Sequence, residues 1–147
     1  MSNELIIGVD PGLHCGFALL DNDDFEVWEF SPMEACDRLY NILTASKRYK
    51  HARVSVERYN ITGSTAKTNQ TDALEIIGAM RWICRRANVT FNVVGSSDAA
   101  KIGTRANLVK LGWWRPGKPD HYQRASAQVA YAYMMAHPSE FYARTHS

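Results

Sequence analysis

Five apolar residues, Leu5 to Val9, run straight into Asp10-Pro11-Gly12. A run this short, closed by a tight turn, fits a buried strand and is too brief for a helix that stands alone, so the chain opens with a strand whose end carries a carboxylate. Phe17 to Leu20 continues as a second strand, Asp21 to Asp24 supplies turn chemistry, and Phe25 to Phe30 sets Phe25 and Val27 among Glu26, Trp28 and Glu29 as a third. Short connections between these runs predict that the three pair antiparallel.

Beyond that point helices and strands take turns. Ser31-Pro32-Met33-Glu34 is a capping box with proline at the first helical position; Cys36, Leu39 and Leu43 follow at helical spacing, which predicts a helix from about Pro32 to Ser46. Arg53 to Glu57 alternates as a fourth strand does, with Val54 and Val56 on one side and Arg53, Ser55 and Glu57 on the other. Polar residues from Asn60 to Thr71 read as a loop or short helix. Ala73, Ile76, Ile77, Met80, Ile83 and Cys84 then form the apolar stripe of a long helix from Thr71 to Ala87. Val89 to Val94 is the fifth strand. Ser97 or Asp98 caps a helix toward Leu111 that Gly112 ends, and Pro119-Asp120 opens the last helix, apolar at Ala125, Val129, Ala132 and Tyr133. The tail after about residue 138 is expected to be loosely ordered. This order predicts an α/β fold: a five-stranded mixed sheet, its first three strands antiparallel, flanked by helices on both faces through right-handed crossovers.

A chain of 147 residues is long enough for one hydrophobic core, and no repeat or Pro/Gly/Ser-rich linker divides it, so one domain over residues 1–147 is expected. Cys15, Cys36 and Cys84 cannot all pair and form no CxxC, which excludes a disulfide framework and a zinc cluster. No basic leader precedes the first strand and no apolar stretch approaches 18 residues, so the expectation is a cytoplasmic protein with no membrane partner. The net charge of +2 excludes a general polycation. Charge is nevertheless uneven: between Asp98 and Asp120 stand Lys101, Arg105, Lys110, Arg115 and Lys118, with no acid among them and with Trp113 and Trp114 inside. Such a stretch is either a surface for nucleic acid or a set of solvated charges beside a core Trp pair.

Phosphodiester hydrolysis needs a positioned, deprotonated water and neutralisation of charge on the leaving oxygen, which two divalent ions roughly 4 Å apart supply together. Oxygen ligands are the residues to look for, and because Mg²⁺ keeps several waters a few convergent carboxylates suffice. Asp10 emerges at the end of the first strand, in a tripeptide that also makes a plain turn. Glu57 ends the fourth strand, where a carboxylate is either solvated or paired with a cation. Asp120 is an N-cap or an acid on the positive end of its helix. His121 ligates metal, orients water, acts as a general base, or is simply structural.

Ile7-Gly8-Val9-Asp10-Pro11-Gly12 at the end of the first strand, together with Val56-Glu57-Arg58 at the end of the fourth, resembles the RuvC-type Holliday junction resolvases of the RNase H-like superfamily, which share the element order above. The helix Thr71 to Ala87, the strand Val89 to Val94, Ser96-Ser97-Asp98-Ala99-Ala100-Lys101 and Leu111-Gly112-Trp113-Trp114-Arg115-Pro116-Gly117-Lys118 are similar to the short phage-encoded members in particular. The likeness covers residues 5 to 136. It implies an RNase H-like fold, Mg²⁺ or Mn²⁺ held by Asp10, Glu57 and His121, and a homodimer joined through the helix Thr71 to Ala87. It also implies cleavage of four-way junctions or other branched DNA. Arg58, Lys67, Lys101, Arg105, Lys110, Arg115 and Lys118 would contact phosphates, and Tyr59 either stacks on an unpaired base or is a core or rim aromatic.

One position departs from the family pattern. The last helix supplies two groups three residues apart on one side, here His121 and Arg124, and the second is usually a carboxylate. Arginine cannot bind a cation and would pair with a carboxylate or a DNA phosphate instead. Asp120 lies about 100° around the helix from His121, so it takes over the acid's role only if the first turn is unwound. Two functions from different classes therefore stand: a metal-dependent endonuclease resolving junctions, and a junction-binding protein whose cleavage is weakened or lost through Arg124.

Overall fold

The computed structural model describes residues 4–45, 51–59 and 71–147. In chain order the elements are β1 (Glu4–Asp10), β2 (Cys15–Asp21), β3 (Asp24–Phe30), α1 (Pro32–Ala45), β4 (His51–Glu57), α2 (Thr71–Ala87), β5 (Thr90–Val94), α3 (Ser96–Ile102), α4 (Arg105–Leu111), α5 (Asp120–Ala136) and α6 (Pro138–Thr145). The five strands form one sheet in the order β3-β2-β1-β4-β5. β1, β2 and β3 pair antiparallel, while β4 joins β1 and β5 joins β4 in parallel, which is the mixed sheet that the alternation of runs predicts.

Side-chain alternation divides the interior into two cores. Leu5, Ile7, Val9, Phe17, Val54 and Val56 point to the face covered by α1 and α2, where Leu39, Ile76, Met80 and Cys84 meet them. Ile6, Ala18 and Leu20 point to the other face, against Ala125, Val129 and Tyr133 of α5. The helix starts follow local chemistry: Ser31 N–H donates to Glu34 Oε1 at 3.0 Å and Glu34 N–H to Ser31 Oγ at 3.3 Å, the reciprocal capping box at the head of α1.

α5 crosses the sheet very closely because β1 and β2 each place a glycine beneath it. A Cβ on Gly8 would stand 2.3 Å from the Ala125 carbonyl oxygen, and one on Gly16 would stand 2.0 Å from that of His121. Farther along, Ser55 Oγ donates to Gln128 Oε1 at 2.6 Å, and Gln128 Nε2 donates to the Val94 carbonyl at 3.2 Å. These buried hydrogen bonds fix α5 to β4 and β5.

The structure corrects three expectations. The helix expected from Ser97 or Asp98 to Leu111 is two helices: Gly103 packs on Ala127, and Thr104 starts a new helix by accepting the Asn107 N–H on its Oγ1 at 3.1 Å. Neither Ser97 nor Asp98 caps the first of them, whose N-cap is Gly95. The tail past residue 138 is helical, because Phe141 and Thr145 are buried against the α5 side. Trp113 belongs to the core, stacked on Phe25 at 5.4 Å and edge-on to Tyr133 at 5.6 Å, while its neighbour Trp114 is half-buried. Gly112 ends α4 in the left-handed conformation, as its sequence position predicts.

Candidate functional site

One row of residues crosses the sheet where β1 and β4 end. Glu29 of β3 lies opposite Gly16 of β2, Gly16 lies opposite Asp10 of β1, and Glu57 of β4 lies opposite Val94 of β5. Asp10 and Glu57 are neighbours one step past the paired Val9 and Val56. All members of the row face α5, since they continue the Ile6–Gly8, Phe25–Val27 and Arg53–Ser55 alternation.

Asp10 and Glu57 are only 8% and 7% exposed, and their carboxyls share a hydrogen bond. Burial above all, then this bond and the negative charge of Glu57, push the Asp10 carboxyl up to about 8, while the Arg124 guanidinium pulls in the opposite direction. Arg124 Nη1 lies 3.9 Å from Glu57 Oε2, and its side chain remains 59% exposed. A cleft of about 390 Å³ opens beside Glu57, lined by Ser97, Trp114, Asp120, Gln123 and Arg124 among others.

The helix α5 thus brings Asp120 and Arg124 to the carboxylate pair, but it turns His121 elsewhere. His121 Nε2 lies 3.2 Å from Glu29 Oε1, off the line of a good hydrogen bond, so this buried nitrogen has no hydrogen-bond partner among the described residues. Asp120 is the first helical residue and makes no capping hydrogen bond; Pro119 holds the N-cap position. Among the described residues no three His, Cys, Asp or Glu groups come close enough to hold an ion as they stand. Two buried carboxylates forced to share a proton are nonetheless the donor set that suits Mg²⁺, which binds through one or two carboxylates and keeps waters for the rest.

The basic residues divide into two groups. Arg58, Lys101 and Lys118 are exposed, Lys118 over the Tyr122 ring, and Arg105 lies 5.0 Å over Trp114. Arg115 is used internally: its guanidinium donates to the carbonyls of Gly112, Trp114 and Phe25 and covers the Phe25 ring. Lys110 Nζ donates to the Thr145 carbonyl at 2.7 Å, closing the last turn of α6. Tyr59 packs, half-buried, against the α1–α2 core with its hydroxyl buried and without a hydrogen-bond partner among the described residues. Lys67 lies outside the described residues.

No protein-family model matches the chain, and no curated protein sequence does. Solved structures match by shape. RuvC of T. thermophilus in complex with a Holliday junction substrate superposes with a TM-score of 0.61 at 20% identity, over 96% of this chain and 95% of that one. A second Thermus thermophilus RuvC structure gives 0.59 at 20% identity, over 97% and 96%. The chain has a RuvC-like fold. Within that fold, Glu29 and His14 are the neighbours of the site that the sequence does not single out. Glu29 was legible in principle, since it is a carboxylate continuing the Phe25–Val27 apolar face; His14, in the turn before β2, carries no such signal.

Proposed function

We propose that this protein is a divalent-metal-dependent endodeoxyribonuclease that cuts branched DNA, four-way junctions foremost, as a homodimer in the cytoplasm. The buried, hydrogen-bonded pair Asp10–Glu57 at adjacent strand ends carries the reading, because so costly an arrangement of like groups is explained by a cation that replaces the shared proton. The motif resemblance to short phage-encoded resolvases supports it, as does the likeness to a RuvC bound to a Holliday junction substrate.

When bound, Mg²⁺ or Mn²⁺ would activate the attacking water and neutralise charge on the leaving oxygen. Asp10 and Glu57 would hold it, giving up their shared proton in doing so. Arg124, exposed beside Glu57, takes a phosphate oxygen of the strand to be cut, and Asp120 stands on the same cleft to orient water. His121, which the resemblance makes a third ligand, would have to turn from Glu29 toward the pair to join them. Arg58, Lys101, Arg105 and Lys118 contact the DNA backbone, which gives affinity without base readout.

The homodimer reading rests on α2. Leu74 and Trp82 are exposed on it, with the open Gly78 between them at helical spacing, and Met33 and Tyr40 of α1 are exposed as well. A two-fold pairing through such a stripe would set two sites against a two-fold substrate.

The test is incubation of a labelled four-way junction, with duplex and forked DNA beside it, in Mg²⁺, Mn²⁺ or EDTA, using the wild type and Asp10→Asn. Paired, metal-dependent nicks that Asp10→Asn abolishes are expected. Tight junction binding with no cleavage in either metal would overturn the nuclease reading and leave a binding protein.

A further inference from the structure

The cleft beside Glu57 lies between α3 and α5, and most of its lining is small: Ala99 and Ala100 come from one helix and Ala127 from the other. Its one aromatic wall is Trp114. The chain that carries this wall is tied down on two sides. Gln123 of α5 clasps the backbone of Arg115, since its Nε2 donates to the Arg115 carbonyl and its Oε1 accepts the Arg115 N–H at 3.4 Å. The Arg115 guanidinium then donates to the Trp114 carbonyl at 3.3 Å and to the Phe25 carbonyl of β3 at 3.2 Å. Trp114 is therefore a fixed surface in the same cleft as Glu57 and Arg124.

Arg105 lies on that surface, its guanidinium carbon 5.0 Å over the Trp114 ring. Lys118 repeats the pattern 5.6 Å over the Tyr122 ring. Arg105 is exposed, and none of the ion pairs found among the described residues involves it. Helix stability does not account for a cation at this place. Arg105 is the first residue of α4, whose first turn holds no acid, and the start of a helix disfavours positive charge. An exposed contact between a guanidinium and an indole adds little stability either. Its effect on the side chain is more specific. A carboxylate partner would take up the N–H donors of Arg105, whereas an aromatic ring restrains the side chain and leaves them for a phosphate.

We propose that Trp114 is a positioning residue for DNA: it holds the Arg105 guanidinium beside the cleft, ready for one phosphate of the strand that Arg124 grips at the site. The inference rests on the reading of branched DNA as the substrate. Restraint before binding means that less rotamer freedom is lost when the phosphate arrives, so the contact is stronger than a free surface arginine would make. Gln123 serves the same end indirectly, because its clasp on Arg115 keeps the Trp114 wall in place.

The test measures junction binding in EDTA over a range of salt concentrations, using the full chain. Wild type is compared with Arg105→Ala, Trp114→Leu, Trp114→Phe, Gln123→Ala and the double variant Arg105→Ala/Trp114→Leu, with Tm recorded for each. Arg105→Ala is expected to make the slope of log affinity against log salt shallower by about one. Trp114→Leu, which removes no charge, is expected to produce most of the same change, and the double variant no more than Arg105→Ala alone. Trp114→Phe keeps a ring and retains most of the slope; Gln123→Ala loses part of it, and decides the matter if Trp114→Leu fails to fold. A wild-type slope in Arg105→Ala, or in both Trp114→Leu and Gln123→Ala whatever their Tm, would overturn the proposal. Losses that add in the double variant, or that are equal in Trp114→Phe and Trp114→Leu, would overturn it as well, by separating Arg105 from the ring. A wild type that binds the junction but cuts in neither Mg²⁺ nor Mn²⁺ would overturn the nuclease reading and leave this inference standing, while a wild type that does not bind the junction would overturn both.

Discussion

Burial and the adjacent Glu57 hold the Asp10 carboxyl protonated up to about pH 8, whereas in the unfolded chain it ionises near its ordinary value of 3.8. Between those limits the folded state binds a proton that the unfolded state has released, so stability falls as pH rises. The contribution is fully present below about pH 4 and is gone above pH 8. In metal-free buffer the wild-type Tm is therefore expected to drop by several degrees from pH 5 to pH 8.5, and Mg²⁺ at pH 8.5 is expected to recover most of the drop. Asp10→Asn removes the titrating group, so thermal melts of that variant should show a much shallower pH profile and a Tm above wild type at pH 8.5. A steep profile retained in Asp10→Asn would put the proton elsewhere. Arg124 gives a second test at the same scale. Arg124→Asp replaces a cation 3.9 Å from Glu57 with a further carboxylate and is expected to raise Mn²⁺ affinity about tenfold or more, read by titration calorimetry; unchanged affinity would mean that position 124 does not reach the ion.

At the scale of elements, α5 decides whether the site exists, because its first turn rests directly on Gly16 and its second on Gly8. Gly16→Ala puts a methyl where the His121 carbonyl stands, at a cost of about 1–3 kcal/mol, and lowers Tm by several degrees. Cleavage should fall further than stability, since the turn that moves carries Asp120, His121 and Arg124. Thr104→Ala, which removes the N-cap of α4, is expected to cost about 1 kcal/mol without touching cleavage. How much of this was legible in the sequence follows from the same packing. The strands, α1 and α2 are visible because their apolar spacing is local, and Asp10 and Glu57 are visible because each ends such a run. The break between α3 and α4 is not, since it depends on how closely Gly103 meets Ala127, residues 24 positions apart. The same is true of Lys110 and Arg115, which look like free cations in sequence but bond to carbonyls that only the fold brings near. Nor is the nearness of His121 to Glu29 legible, since the two are distant in the chain and meet only in the fold.

For the molecule as a whole, binding and assembly separate the surface from the interior. Each phosphate that a side chain neutralises adds about one to the slope of log affinity against log salt. Lys101→Ala should therefore make that slope shallower and leave Tm unchanged, while Arg115→Ala should lower Tm and leave the slope. A common effect on both quantities in either variant would mean that the two groups of basic residues are not distinct. Trp82→Glu, on the exposed stripe of α2, is expected to give a monomer in sedimentation and single in place of paired nicks. A wild type that sediments as a monomer at micromolar concentration would remove α2 from the account of assembly. The close seating of α5 on two glycines also has a mechanical consequence. Asp10 and Glu57 stand on central strands, and Asp120 and Arg124 on a helix whose backbone already touches the sheet, so the site has little compliance with which to reach a scissile phosphate. On the proposed reading the bending must then come from the substrate: an intact duplex is too stiff to comply, and a branch point is the hinge that makes it an admissible one.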